Sequence, residues 1–280
     1  MIIALFPNRQ KKRSKSIAVS IREFLVSRGV TVVVDDENAE EFEAAPISSI
    51  DPNEIKYMLS MGGDGTILQL IHRHPDILAP VLGINLGSLG FMADVPISEI
   101  YPSLQDLLAG AYHVENRVMM QGGLGQEQHG FAVNDIVIHR AQNPCLVDLA
   151  IHVDGRYLNT FSADGVILST PSGSTAYSLA AGGPILAPEL EALVMTPISP
   201  HTISNRPIVL LPSQEIQIQY LSERDPVECT YDGISSKPMN TGEVFTITPC
   251  ARRFSLVRLH RRDFYSTLRS KLGWTGKLKH

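Results

Sequence analysis

Tyr57-Met58-Leu59-Ser60-Met61-Gly62-Gly63-Asp64-Gly65-Thr66 is a short apolar run that stops in three glycines wrapped around one aspartate. A strand ending in a glycine turn, with a helix starting near Thr66, brings bare backbone N–H groups and a helix N-terminus to one point, a combination suited to phosphate. Asp64 stands at its centre. A carboxylate repels phosphate, so its useful roles there are to accept a proton from a hydroxyl nucleophile or to hold a divalent cation. A plain helix cap is the alternative, because Asp and Thr are both common where a loop enters a helix. A cap does not require Gly62, Gly63 and Gly65 together, whereas close approach of a ligand to the backbone does.

Outward from this stretch, residues 2–6 read as a buried strand and Pro7-Asn8 as a turn. Ile17, Ile21, Phe24 and Leu25 recur at helical spacing until Gly29 stops the helix, and residues 31–34 form the next strand. Such a strand-helix-strand unit in a parallel sheet places the loops after its strands on one edge. Residues 56–60 lead into the glycine stretch, residues 66–74 leave it as a helix, and the strand 81–85 ends in a second glycine-rich loop, Leu86-Gly87-Ser88-Leu89-Gly90-Phe91. The expected N-terminal domain is therefore an α/β, Rossmann-like one over residues 1–98.

Past residue 98 the pattern changes. Pro102 opens a short helix, 103–108, that Gly110 closes. Strand-like runs follow at 133–139, 146–153, 157–161, 166–169, 208–211, 216–221 and 244–248. Asp154-Gly155, Asp164-Gly165 and Asp232-Gly233 each read as a hairpin turn. A β-rich, mostly antiparallel C-terminal domain is expected over 99–259. The tail from about 260 to 280 turns helical around Phe264, Leu268 and Leu272, and should return to the first domain.

With 44% hydrophobic and 19% charged residues among 280, the composition is that of a soluble globular protein of one large or two moderate domains. A net charge of -5 argues against a protein that grips nucleic acid or an anionic membrane. Cys145, Cys229 and Cys250 are far apart and odd in number, which suggests neither a disulfide framework nor a zinc site and fits a reducing cytoplasm. No apolar run approaches membrane-spanning length, and the basic cluster follows the apolar N-terminus instead of preceding it, so neither anchor nor signal peptide is expected.

Four further stretches carry chemistry. Ser169-Thr170-Pro171-Ser172-Gly173-Ser174-Thr175-Ala176-Tyr177-Ser178 is rich in hydroxyls, and Ala180-Ala181-Gly182-Gly183-Pro184 prolongs it with small residues that let a ligand come near; a solvated serine loop is the alternative. Asn134-Asp135 is a polar pair inside an apolar strand that must meet either neighbouring backbone or a ligand. Arg9, Lys11, Lys12, Arg13 and Lys15 gather before a helix start, where the dipole favours anions, so they either await a polyanion or form a solvated basic loop. The acidic segment 35–43 reads as a mobile, solvated loop, and His72 and His74 as surface residues.

Taken together, Gly62-Gly63-Asp64-Gly65-Thr66, residues 85–91, Asn134-Asp135 and residues 164–177 resemble the NAD kinases, in order and spacing, over nearly the entire chain. The Gly-Gly-Asp-Gly-Thr motif alone is shared with phosphofructokinases and with diacylglycerol- and sphingosine-type lipid kinases. The resemblance implies transfer of a phosphoryl group from ATP or polyphosphate, with a divalent cation such as Mg2+, to the 2′-hydroxyl of the adenosine ribose of NAD, by a homo-oligomer, a dimer or tetramer. Carried over by motif, Asp64 engages that hydroxyl with Gly65 beside it, and Asn134 and Asp135 contact base and ribose. Asp164, Thr175, Ala176, Tyr177, Ser178 and Ala180 belong to the dinucleotide pocket, and Phe91 to its wall. Lys11, Lys12 and Arg13 are the candidates for holding the phosphate donor; metal ligands stay unassigned. Asp135 stands where the family more often has Glu, Leu86 where a polar residue is common, and Ile234 where glutamine is frequent. The alternatives are a lipid kinase, which needs an apolar acyl groove, and a non-catalytic dinucleotide-binding regulator, which has no use for Asp64.

Overall fold

The computed structural model describes every residue except Arg9, Lys12, Ser88, Leu89, Ile203, Arg262 and the stretches 126–129 and 275–280. The chain forms two compact units, Met1–Asn116 joined by the chain from Ser255 onward, and Arg117–Phe254. The sequence reading sets boundaries at 98 and about 260, whereas these divisions fall inside two long strands, Tyr112–Leu124 and Val244–Leu259.

The first unit contains β1 (Ile2–Pro7), α1 (Ser14–Val26), β2 (Thr31–Val34), β3 (Ala45–Pro46), β4 (Ile55–Gly62), α2 (Asp64–Arg73), β5 (Val81–Asn85), β6 (Ala93–Pro96), α3 (Ile100–Ala109) and the start of β7 (Tyr112–Leu124). Its sheet runs in the order β3-β2-β1-β4-β5, all parallel. The strands are buried on both faces and read as unbroken apolar runs for that reason, Ile3 to Leu5 and Met58 to Leu59 among them. Ala18, Ile21 and Leu25 form the buried stripe of α1 at helical spacing.

The acidic segment is anchored at a few positions, although Asp36, Glu37, Glu40, Glu41 and Glu43 are exposed as its composition suggests. Asp35, Asn38 and Phe42 are buried, and Asp35 accepts from Arg73 Nη1 at 2.8 Å and bonds His74 Nε2 at 2.7 Å. His74 is accordingly a partner of Asp35 and not a free surface histidine.

The second unit contains the rest of β7, then β8 (Gly130–Ala132), β9 (Asp135–His139), β10 (Val147–Val153), β11 (Arg156–Ala163), β12 (Gly165–Ser169), α4 (Tyr177–Ala180), β13 (Leu193–Ile198), β14 (Ile208–Leu210), β15 (Ile216–Tyr220), β16 (Val227–Tyr231), β17 (Ser235–Met239) and β18 (Val244–Leu259), which carries the chain back to the first unit, where α5 (Phe264–Leu272) ends it. One sheet pairs β11-β10-β15-β18 and the other β14-β13-β12-β9-β16-β17, each antiparallel. Leu149, Ile151, Leu168, Met195, Tyr231 and Phe245 from the two sheets join one apolar cluster.

Asp154-Gly155 and Asp232-Gly233 are hairpin turns, with positive φ at all four residues. Asp164-Gly165 is not. Gly165 lies in β12, where an added Cβ would stand 2.3 Å from the Ile138 carbonyl, so it is glycine because β9 passes too close for a side chain.

Candidate active site

In the first unit the chain leaves β1 toward β2 and β3 and returns on the other side as β4, so the loops after β1 and β4 lie together at the carboxyl edge of the sheet. The Asn8 N–H donates to the Met61 carbonyl at 3.0 Å. Asn8 Nδ2 donates to Thr66 Oγ1 at 3.0 Å, which also accepts from the Gly63 N–H at 3.3 Å. A Cβ on Gly62 would lie 2.1 Å from Thr66 Oγ1, so packing accounts for that glycine. At Gly63 and Gly65 a Cβ would meet nothing within 4 Å. Among the described residues no atom demands glycine at these two positions, and the space they border gives an anion access to the start of α2.

Asp64 opens α2 and is no isolated carboxylate. Its Oδ2 accepts from the Phe91 N–H at 2.8 Å, and its Oδ1 from the Met92 and Ala93 N–H groups at 3.0 and 2.9 Å. A carboxylate offers about four lone-pair sites. Among the described residues, three are occupied, and one on Oδ2 is left for a further donor. Phe91 is half-buried, its ring 5.8 Å from that of Phe264.

Beside the glycine turn is a cavity of about 370 Å³ lined by Asn8, Gln10, Asp35, Thr66, Gln69 and Arg73, among others. Lys11 and Arg13 are exposed in the loop after β1. A Cβ on Gly87 would come 3.8 Å from Lys11 Nζ, which places that ammonium against the loop after β5. Lys15 is paired with Glu41 at 2.6 Å. Arg9 and Lys12 lie outside the described residues, as do Ser88 and Leu89 of the second glycine loop.

In the second unit a cavity of about 640 Å³ gathers Asn134, Asp135, Asp164, Ala176 and Tyr177. Asp232 accepts from the N–H groups of Val133, Asn134 and Asp135 at 2.9, 2.7 and 3.1 Å, which fixes the mouth of β9. Asn134 Oδ1 is buried and has no hydrogen-bond partner among the described residues. Burial, with the Asp232 carboxylate beside it, pushes the Asp135 carboxyl up to about 7. Asp164 accepts from Arg140 Nε at 2.7 Å.

Most hydroxyls of 169–178 are taken up by hydrogen bonds within the protein. Thr170 Oγ1 donates to the Val133 carbonyl at 2.6 Å, Ser174 Oγ to the Pro171 carbonyl at 2.7 Å, and Arg117 Nη1 donates to Ser172 Oγ at 3.2 Å. Ser178 is fully buried against Thr196 at 2.9 Å. The loop thereby carries Ala176 and Tyr177 on its exposed side, while Thr175 is half-buried next to them and Ala180 is exposed without lining the cavity.

Sequence reasoning missed Asp232, taken only as half of a turn, and Arg140, which has no local signal at all. It also missed Asn8 and Arg73, for which position at the ends of β1 and α2 was the available clue.

A backbone left open to phosphate, next to a carboxylate fixed with one acceptor site spare, is the equipment of a phosphotransferase acting on a hydroxyl. Residues 3–112 match the family model of the ATP-NAD kinase N-terminal domain and residues 133–259 that of the ATP-NAD kinase C-terminal domain. The chain belongs to the NAD kinase family, and its activity is that of an NAD kinase.

An NAD kinase of Protochlamydia amoebophila is 59% identical over 278 residues, covering 99% of this chain and 100% of its own. One of Geotalea daltonii is 39% identical, covering 97% and 98%. Among solved structures, yeast NADH kinase complexed with NADH superposes with a TM-score of 0.85 at 25% identity, over 100% of this chain and 89% of that one. An NAD kinase from Archaeoglobus fulgidus in complex with ATP gives a TM-score of 0.77 at 25% identity, over 99% and 100%. Neither the lipid-kinase reading nor the non-catalytic regulator draws support from these relatives. No helix among the described residues is long and apolar enough to cross a membrane.

Proposed function

We propose that the first unit holds the phosphate donor, ATP or polyphosphate, and the second the dinucleotide, and that Asp64 accepts a hydrogen bond from the 2′-hydroxyl of the adenosine ribose of NAD through the spare lone pair of Oδ2. The observation that carries this reading is the seat of Asp64, three backbone N–H groups that orient the carboxylate beside the open space at Gly63 and Gly65. Phosphoryl transfer asks of a protein mainly in-line positioning and charge neutralisation. The donor phosphates meet the N–H groups at the start of α2, with the ammonium of Lys11, the guanidinium of Arg13 and Lys12 adding charge.

Asn134, Asp135, Asp164, Thr175, Ala176 and Tyr177 bind the dinucleotide, while Gly65 and Phe91, in the first unit, flank Asp64. Ser178 and Ala180 shape the loop that presents Ala176 and Tyr177. The buried, unpartnered Asn134 Oδ1 is an acceptor suited to a ligand N–H or O–H.

The donor set does not fit a resident metal. Among the described residues no group of three or more His, Cys, Asp and Glu is placed to hold one, and most of the Asp64 carboxylate is taken. Mg2+ is commonly bound through substrate phosphates and keeps several waters, so it would arrive on the donor, where it neutralises phosphate charge.

The setting is a cytoplasmic homo-oligomer, dimer or tetramer. Free cysteines suit a reducing compartment. Exposed Tyr157 on β11 and Val209 on β14, each an edge strand, suit contact with another copy. Incubating the purified protein with NAD, Mg2+ and either ATP or polyphosphate tests the reading: NADP should form, and no NADP with either donor would refute it.

A further inference from the structure

The loop that seats Asp64 is itself gripped from behind. Arg258, next to last in β18, is 9% exposed. Its Nη2 donates to the Phe91 carbonyl at 3.0 Å, its Nη1 to Asp94 Oδ2 at 2.6 Å and its Nε to Glu115 Oε2 at 2.9 Å. Burial alone would favour the neutral guanidine, but the two carboxylates outweigh it and raise the pKa further, so the fork stays charged. Residues 91–94 thus sit between two grips. Their N–H groups at 91, 92 and 93 face Asp64, and the carbonyl of 91 and the side chain of 94 face Arg258.

β6 already pairs with β5, and the Phe91 ring already packs on Phe264. A planar fork that fixes one peptide and one side chain at once removes the freedom of the loop to rotate, and with it the freedom of the Asp64 carboxylate.

We infer that Arg258, braced by Asp94 and Glu115, is a positioning residue for phosphoryl transfer: it holds the 91–93 peptides so that the spare acceptor site of Asp64 Oδ2 keeps its aim. This rests on the reading that Asp64 engages the acceptor hydroxyl. Misplacement by about 1 Å is enough to cost on the order of 10²-fold in rate.

Arg258→Lys keeps the charge but replaces the fork by a single point, which cannot reach Phe91, Asp94 and Glu115 together. In the full-length protein, assayed well below the variant's melting temperature, kcat should fall by about 10- to 100-fold. The Kd for NAD by calorimetry should stay within roughly threefold, since a change of that size is worth under about 1 kcal/mol. Asp94→Asn, which leaves Arg258 its Glu115 partner, should show the same split at smaller size, and it carries the test alone if Arg258→Lys does not fold. A folded variant that melts early yet turns over like wild type would make the triad merely structural and overturn the inference, as would equal losses of kcat and NAD affinity. Asp64→Ala separates the two readings. If it abolishes turnover while the Arg258 and Asp94 variants keep theirs, only the positioning role falls; if it turns over normally, the reading of Asp64 falls and takes this inference with it.

Discussion

Gly90→Ala adds one methyl and no charge, and it should cripple the enzyme. A Cβ on Gly90 would stand 2.0 Å from Asp64 Oδ1, 2.7 Å from Cγ and 2.9 Å from Oδ2. Ordinary contact begins near 3.4 Å, so either the carboxylate or the loop moves by more than about 1 Å, a displacement of the size that costs on the order of 10²-fold in rate. The bonds most exposed to it are those from Met92 and Ala93 to Oδ1. Hydrogen bonds to a charged group contribute about 1.5–3 kcal/mol each, so losing both would remove roughly 3–6 kcal/mol, less whatever the loop recovers by relaxing. The assay is NADP formation at saturating NAD and ATP, below the melting temperature of the variant, with the Kd for NAD measured in parallel. kcat should drop by about 100-fold, the melting temperature should fall, and NAD affinity should change little. A folded Gly90→Ala protein with kcat within about threefold of wild type, under about 1 kcal/mol, would refute the argument that the seat of Asp64 matters. Asp64→Asn should lose stability as well as turnover, because an amide NH2 would then face backbone N–H groups that now meet a carboxylate oxygen.

Three other outcomes are expected. Replacing Lys11, Lys12 and Arg13 by Ala should raise KM for ATP or polyphosphate, more so at low salt, with KM for NAD little changed; an unchanged donor KM would remove these residues from donor binding. Ala176→Trp should fold, since Ala176 is exposed, and should block NAD by filling the 640 Å³ cavity it lines; normal NAD affinity by calorimetry would place the dinucleotide elsewhere. Asp135→Asn should stabilise the protein at pH 8 and make little difference at pH 4: a carboxyl raised from 3.8 to about 7 binds its proton more tightly folded than unfolded, so its contribution declines as pH rises through that window. Three pH units amount to at most about 4 kcal/mol, and melting temperatures of the two proteins that differ by the same amount across pH 4–8 would contradict the burial of this carboxyl beside Asp232.

The alternation of apolar strand, glycine turn and helix over residues 2–85 was legible because local pattern and the buried parallel sheet ask for the same residues. The glycine motif marked the start of α2 for a similar reason: backbone that must lie bare to a ligand is written in the chain as missing side chains. Elsewhere the sequence was ambiguous in ways only folding removed. The run from Val244 looked finished at Thr248, yet β18 continues to Leu259 through Pro249, Arg252 and Arg253, because partners distant in sequence hold the strand that local propensity would end. Asp164-Gly165 and Asp232-Gly233 are the same dipeptide. One is a close approach of strands and the other a turn, and the difference lies in the Ile138 carbonyl, not in the pair itself. Hydroxyls in the 169–178 loop likewise could not declare whether they bond a ligand or backbone carbonyls, since one such carbonyl, that of Val133, is brought to Thr170 only by the fold. What Asp64 is depends most of all on tertiary structure. The sequence supplied a carboxylate among glycines, while the three N–H groups that orient it come from residues 27 to 29 positions away, and Arg258, which holds those residues, stands 167 positions beyond Phe91. A charge can be read from a chain one residue at a time, but its aim is set by hydrogen-bond partners that only the fold brings into reach.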